Sequence, residues 1–139
     1  MPELHELCTL RVTLRYEPVG PTPAGKRLDV PFDGTATGPH WEGERPVKGI
    51  DYVTFRSDGT MSVDIRGRIG SGREVVAYRA DGVAAYDADR NVATPKEVVR
   101  FETATPALAW LNQTVGVALG QGEGDQMEMH VYTLDPAPS

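Results

Sequence analysis

The sequence predicts an all-β domain built as an antiparallel up-and-down β-barrel of about eight to ten strands. Short runs in which apolar and polar residues alternate recur along the chain, and Gly-containing turn signals separate them. Helix signals are scarce, because the 15 Gly and 11 Pro residues interrupt every window with apolar positions at helical spacing. A sandwich is the alternative, but closure into a barrel is the simplest way to hide the strand edges.

The first strand is expected over Leu7–Tyr16, where every second residue is apolar or Cys. A Pro- and Gly-rich turn follows at 18–25 and separates this strand from two less distinct runs, at about 27–36 and 39–47.

Hairpin signals are clearer in the middle of the chain. Asp58-Gly59, Asp81-Gly82 and Gly70-Ser71-Gly72 are all typical of tight turns. Together they predict an antiparallel meander with strands at about 51–57, 60–69, 73–80 and 83–86.

The last third of the chain starts with a linker through Pro95 and continues with three more runs. These are Val98–Thr103, the long Trp110–Leu119 run and Gln126–Leu134, with a short helical turn near Pro106–Trp110 and a loop at 120–124. The Gly-rich 120–124 segment has no adjoining helix, so it is not expected to bind a nucleotide phosphate.

Length, net charge and composition limit the number of domains, the partners and the cellular location that we expect. A length of 139 residues fits one domain over 1–139, with a core of about 7–134 and a frayed tail at 135–139. The formal net charge of −6 disfavours nucleic acid as a partner. No membrane-length apolar run or signal-peptide pattern is present, so we expect a cytoplasmic protein that does not bind membranes.

Metal and cofactor motifs are not found in the sequence. Cys8 is the only cysteine, and the three histidines are widely separated, so neither a disulfide nor a metal site is expected. The sequence contains no dinucleotide, phosphate-loop or Gly-x-Ser-x-Gly pattern. We therefore expect no cofactor.

Several segments resemble a family of uncharacterised, bacterial-looking proteins catalogued as domain of unknown function 3237. The first signature comprises Pro21-Thr22-Pro23-Ala24-Gly25-Lys26-Arg27, Gly38-Pro39, Gly43, Gly49-Ile50-Asp51, Asp58-Gly59 and Asp64-Ile65-Arg66. The second comprises Phe101-Glu102-Thr103, Pro106, Trp110-Leu111-Asn112 and Val131-Tyr132-Thr133-Leu134. The resemblance covers about Leu7 to Leu134.

This resemblance implies a small lipocalin-like or allene-oxide-cyclase-like barrel with a cavity and a self-associated form, but no settled reaction. Apolar positions left over on the last strands also favour self-association. We therefore expect a homodimer or higher homo-oligomer that binds a small-molecule ligand.

A candidate site follows from the Asp58-Gly59 turn. If that turn is a two-residue loop, Asp51 pairs with Arg66 and Val53 pairs with Asp64. One face of the hairpin then carries Asp51, Ser62, Asp64 and Arg66. This charged face is either the solvated outside of the barrel or the lining of a polar cavity.

In the cavity interpretation, side chains from both signatures converge on the lumen. The candidate catalytic residues are Asp51, Asp64 and Glu102, and the candidate substrate-binding residues are Arg66, Asn112 and Trp110. Two of these have structural alternatives: Glu102 as a loop-clamping hydrogen-bond acceptor and Trp110 as a core anchor.

Three functions remain open from the sequence, and whether the protein is an enzyme is undecided. The first is a cofactor-free acid/base enzyme of isomerase, cyclase or lyase type. The second is a non-catalytic carrier or sensor, and the third is a structural homo-oligomer whose lumen is filled by side chains.

Overall fold

The fold is an all-β barrel, seen in a computed structural model that describes residues 3–139. Its strands are β1 (His5–Leu14), β2 (Glu17–Thr22), β3 (Gly25–Thr37), β4 (Arg45–Phe55), β5 (Met61–Ser71), β6 (Glu74–Asp87), β7 (Val92–Thr103), β8 (Val115–Glu123) and β9 (Gln126–Thr133). A 3-10 helix, Pro106–Gln113, connects β7 to β8. Within the described range, no helix is long and apolar enough to cross a membrane.

Eight strands close the barrel, and all their pairings are antiparallel. The order is β1, β9, β8, β7, β6, β5, β4, β3, and β1 then pairs with β3 to complete the ring. Strand β2 pairs with the first half of β3, where β1 no longer covers its edge. The predicted barrel class is confirmed, and its strand number lies within the predicted range.

Several predicted element boundaries are wrong. Asp81-Gly82 lies inside the continuous strand β6 and forms no turn. A Cβ atom at Gly82 would collide with the backbone carbonyl of Lys96, so this glycine permits close strand approach. Strand β8 likewise runs through most of the predicted 120–124 loop. Strand β2 occupies residues 18–22 of the predicted 18–25 turn, so the turn itself is confined to 23–24. The helical turn predicted near Pro106–Trp110 is confirmed.

The hairpin between β4 and β5 has a longer connection than predicted. Phe55 pairs with Met61, the Arg56 N–H donates to the Thr60 carbonyl, and the Gly59 N–H donates to the Arg56 carbonyl. Gly59 adopts a positive φ of 86°. This is a turn with an extra left-handed residue, which moves the register by one residue relative to a two-residue loop.

The two ends of the barrel differ. The helix end carries the 3-10 helix, whose Leu108 and Leu111 are buried in the main hydrophobic cluster. The turn end carries the connections at 15–16, 56–60, 88–91 and 124–125. The Tyr16 hydroxyl donates to the Gly124 carbonyl across the turn end, and the Tyr86 hydroxyl donates to Asn91 Oδ1 at 2.7 Å.

Candidate functional site

A cavity of about 470 Å³ occupies the lumen of the barrel. This volume falls within the range of roughly 300–1,000 Å³ that is typical of small-molecule sites. Its wall consists mainly of Val, Ile, Leu, Met and Phe side chains that point inward from the strands, and it reaches Tyr16 and Asn91 at the turn end. The alternative of a lumen completely filled by side chains is therefore wrong.

Two groups of aromatic rings line the cavity: Tyr16, Phe55 and Tyr86 at the turn end, and three rings in the half nearer the helix end. Phe32, Tyr78 and Phe101 line this half, and each ring lies against a glycine of a nearby strand. A Cβ atom at Gly49 would be 2.5 Å from the Phe32 ring, and one at Gly67 would be 2.5 Å from the Tyr78 ring. The glycines therefore make the space in which these rings pack.

Three polar side chains project into this apolar cavity from the middle of the strands: Asp51 of β4, Tyr78 of β6 and Glu97 of β7. Asp51 precedes the inward-pointing Val53 by two residues, and Glu97 precedes Val99 by two, so each carboxyl group belongs to an otherwise apolar face. The Asp64 backbone N–H donates a hydrogen bond of 3.2 Å to Asp51 Oδ1, which fixes the orientation of that carboxyl group.

Burial raises the pKa of both carboxyl groups. The pKa of Asp51 rises from 3.8 to about 7, chiefly because of lost solvation; the Asp64 N–H opposes this rise and the Asp64 charge adds to it. The pKa of Glu97 rises from 4.5 to about 8, again chiefly because of lost solvation, with further contributions from the charges of Asp51 and Asp81. Burial and the charge of Glu97 also raise the pKa of Tyr78.

The ionisable side chains that line the cavity are acidic. Within residues 3–139, no Lys, Arg or His side chain lines it, whereas two carboxyl groups do. The same part of the chain contains no cluster of three or more His, Cys, Asp or Glu side chains that could hold a metal ion. The cavity can therefore offer hydrogen-bond donors, hydrogen-bond acceptors and proton transfer to a ligand, but no cationic side chain.

The predicted charged face is wrong, because the true register separates its members. Asp51 pairs with Ile65 rather than Arg66 and points into the lumen. Asp64, Arg66 and Glu102 are exposed on the outer surface of the barrel. A one-residue change of register moves a side chain to the opposite face of a sheet, so of the three proposed catalytic carboxylates only Asp51 reaches the cavity.

The two other predicted binding residues lie at the helix end, outside the cavity lining. Asn112 Oδ1 accepts from the Thr103 N–H at 2.8 Å, and Asn112 Nδ2 donates to the Thr103 carbonyl at 2.9 Å. Trp110 packs against the main hydrophobic cluster and contacts the His40 ring edge-on at 5.5 Å between centroids. These contacts are those of a strand clamp and a packing anchor.

Glu97 and Tyr78 were missed by the sequence analysis. The sequence did contain a signal for Glu97. Residues 95, 97, 99 and 101 alternate along the strand with Lys96, Val98 and Arg100, and Glu97 is the only charged residue of the first set. A single acid on the apolar set of an alternating strand indicates a buried carboxyl group. Tyr78 has no comparable signal, because a tyrosine on an apolar face is ordinary.

Comparison with known proteins agrees with the architecture. A family model described as "Protein of unknown function (DUF3237)" matches residues 2–134. The chain belongs to the DUF3237 family. No curated protein matches this member of the family.

Solved structures similar to this DUF3237 chain share its fold. A beta-barrel like protein from Acinetobacter baumannii AYE has a TM-score of 0.84 at 24% identity, with 97% of each chain covered. A protein with unknown function from Clostridium acetobutylicum ATCC 824 has a TM-score of 0.83 at 18% identity, covering 96% of this chain and 99% of that one. A conserved protein of unknown function from Rhodopseudomonas palustris has a TM-score of 0.82 at 20% identity, covering 96% and 97%.

Proposed function

We propose that the barrel binds one small, uncharged, mainly apolar molecule and acts on it as a cofactor-free acid/base enzyme of isomerase, cyclase or lyase type. The observation that carries this proposal is the pair of carboxyl groups, Asp51 and Glu97, in an apolar cavity of about 470 Å³, with pKa values raised to about 7 and about 8. Acid and base groups work best when their pKa values lie near the working pH.

The roles of the two carboxyl groups follow from these pKa values. At pH 7 Asp51 is ionised in a large fraction of molecules, so it can remove a proton from a carbon next to a carbonyl group. Glu97 is mainly protonated at that pH, so it can donate a proton to the carbonyl oxygen. Return of a proton to a different carbon completes an isomerisation, whereas loss of a leaving group completes an elimination.

The ligand class follows from the lining. An anionic ligand would face two carboxyl groups and no compensating cation, and burial would remove the solvation of its charge. An uncharged ketone or enone instead accepts hydrogen bonds from Glu97 or Tyr78 and buries its carbon skeleton against the apolar wall. Arg66, which the sequence analysis proposed as an anion-holding residue, is exposed outside the barrel.

Binding can be tested with two fluorescent probes of similar size, neutral N-phenyl-1-naphthylamine and anionic anilinonaphthalene sulfonate. We expect the neutral probe to bind more tightly, by about tenfold or more. Ala80→Phe should abolish binding because Ala80 lines the cavity, whereas Ala77→Phe changes an exposed residue of the same strand and should have no effect. Equal binding to the Ala80→Phe and parent proteins would place the probe outside the lumen.

Catalysis can be tested by hydrogen exchange at carbon. A panel of neutral ketones and enones is incubated with the protein in D₂O, and exchange of the acidic C–H is followed by NMR. We expect Asp51→Asn to slow any catalysed exchange by roughly 10²–10⁴-fold. Asp33→Asn is the matched control, because Asp33 is on the adjacent strand β3 but is exposed on the outside of the barrel.

A carrier is the second candidate, favoured by the predominance of apolar side chains in the cavity wall. If the neutral probe binds in the lumen but no ketone or enone in the panel exchanges faster than in buffer, the carrier function is supported instead.

A further inference from the structure

Two parallel rows of exposed side chains cross the outer surface of the barrel. The arginine row consists of Arg66, Arg79 and Arg100, which are direct cross-strand partners on β5, β6 and β7. The aspartate row lies two residues away on the same three strands and consists of Asp64 and Asp81, continued by the uncharged Val98. All six side chains are exposed.

Within each row, charged side chains of the same sign stand directly opposite one another on neighbouring strands. Like charges directly opposite one another in a sheet repel and destabilise it. The ion pairs found within residues 3–139 involve Arg11, Arg27, Arg45 and His130, so none of them includes a member of either row. The charges of these rows therefore have no internal partner in the part of the chain that the structure describes.

The arginine row of one copy is complementary in charge to the aspartate row of a second copy related to it by a two-fold rotation. A two-fold axis that lies between the rows and runs across the strands places the arginine row of one copy on the aspartate row of the other. Arg66 then faces the second copy's Asp64, and Arg79 faces its Asp81.

We propose that this face is a self-complementary interface between two copies of this chain. A polyanion is the competing occupant, because the arginine row alone would attract one. The aspartate row lies about 7 Å away along the strands and would repel it, and the whole chain carries a net charge of −6. A second copy gives Arg66 and Arg79 carboxylate partners, and it places Arg100 over the exposed Val98.

The test is a charge exchange read by sedimentation velocity. The parent chain should be dimeric at about 100 µM, a concentration that would populate even a micromolar dimer. Arg79→Asp places two carboxylates in contact across the interface, and Asp81→Arg places two guanidinium groups there. Each variant should raise the dimer dissociation constant by about tenfold or more, because it places like charges in contact at two symmetry-related positions of the interface.

An equimolar mixture of the two variants distinguishes a lost interface from a damaged fold. In the mixed dimer, the carboxylate introduced by Arg79→Asp in one chain faces the guanidinium introduced by Asp81→Arg in the other. The unchanged Asp81 of the first chain faces the unchanged Arg79 of the second, so dimers should return. The double variant Arg79→Asp/Asp81→Arg should also dimerise by itself.

Two control variants make the same changes of charge elsewhere on the barrel. Arg15→Asp changes an exposed residue that directly follows β1, and Asp33→Arg changes an exposed residue of β3. Both positions lie away from β5, β6 and β7, so these variants should leave the dimer intact.

Three results would overturn the proposal: a monomeric parent chain at about 100 µM, single variants that dimerise as well as the parent, or a variant mixture that stays monomeric. If the parent is monomeric and Arg79→Asp loses binding to a sulfated polyanion such as heparin, the face is an anion site and the dimer is rejected. Cavity binding does not enter any of these measurements.

Discussion

At the scale of single residues, the cavity depends on glycines as much as on the side chains that line it. Gly49 and Gly67 are direct cross-strand partners, and Gly67 is also the partner of Tyr78. Because these glycines lack a Cβ atom, the Phe32 and Tyr78 rings lie close over the backbone of the neighbouring strands. The positions of the rings, and with them the shape of the cavity, are therefore set by residues that do not themselves bind a ligand.

Gly67→Ala should displace the Tyr78 ring, because the added methyl group would lie 2.5 Å from it. We expect a loss of about 1–3 kcal/mol in the free energy of unfolding, which is typical of overpacking. Chemical denaturation measures it. The control is the same substitution in a Tyr78→Leu background, where the ring is absent; an equal loss in both backgrounds would contradict the role given to Gly67.

Asp51 shows how much of the site can be read from single strands. Within β4, Asp51 belongs to the same alternating set as Val47, Val53 and Phe55, a pattern that predicts an inward-pointing carboxyl group. The predicted two-residue turn instead paired Asp51 with Arg66. The alternation within a strand was the better guide, because it does not depend on the length of a connection.

At the scale of elements, the connections decided which predictions failed. Asp58-Gly59 is a turn, but Asp58 Oδ1 accepts from both the backbone N–H and the hydroxyl of Thr60, and Gly59 takes a left-handed conformation, which lengthens the loop. Asp81-Gly82 has the same two residue types and lies within a strand. Such dipeptides therefore predicted an antiparallel meander and, from it, the barrel. They did not predict the strand register or which side chains point into the lumen, and the site depends on both.

The 3-10 helix is tied to β7 by one side chain. Asn112→Ala removes both hydrogen bonds to Thr103 and leaves two backbone groups without those partners. We expect a loss of about 1–3 kcal/mol in the free energy of unfolding, with probe affinity in the cavity unchanged. Gln113→Ala is the matched control at the next exposed position. A variant with parental stability and weakened probe binding would instead support the substrate-binding role predicted for Asn112.

At the scale of the whole molecule, the barrel keeps an open lumen at an energetic cost. Two carboxyl groups in the cavity have raised pKa values, so the folded state holds their protons more tightly than the unfolded chain does. Where the folded state binds more protons, stability falls as the pH rises. The site is therefore a source of destabilisation at neutral pH, and functional groups commonly impose such a cost on a fold.

The pH dependence of stability follows from these shifts. Below about pH 3 both carboxyl groups are mainly protonated in the folded and unfolded states and contribute little difference. As the pH rises from there to about 8, the unfolded chain loses these protons first, so stability declines until Asp51 ionises near pH 7 and Glu97 near pH 8. At about 1.4 kcal/mol for each unit of pKa shift, the loss between pH 5 and pH 8 should be roughly 3–6 kcal/mol.

Amide substitution tests this account, because an amide has the shape of the carboxyl group and no charge. Asp51→Asn and Glu97→Gln should each unfold at higher denaturant concentration than the parent at pH 8, with a smaller difference at pH 5. The double variant should show the flattest dependence on pH. Asp33→Asn removes a carboxyl group that is exposed on the neighbouring strand β3 and should follow the parent curve closely. If the parent protein is equally stable at pH 5 and pH 8, the two carboxyl groups are solvated in the folded state, and their assignment as an acid/base pair in an apolar cavity is wrong.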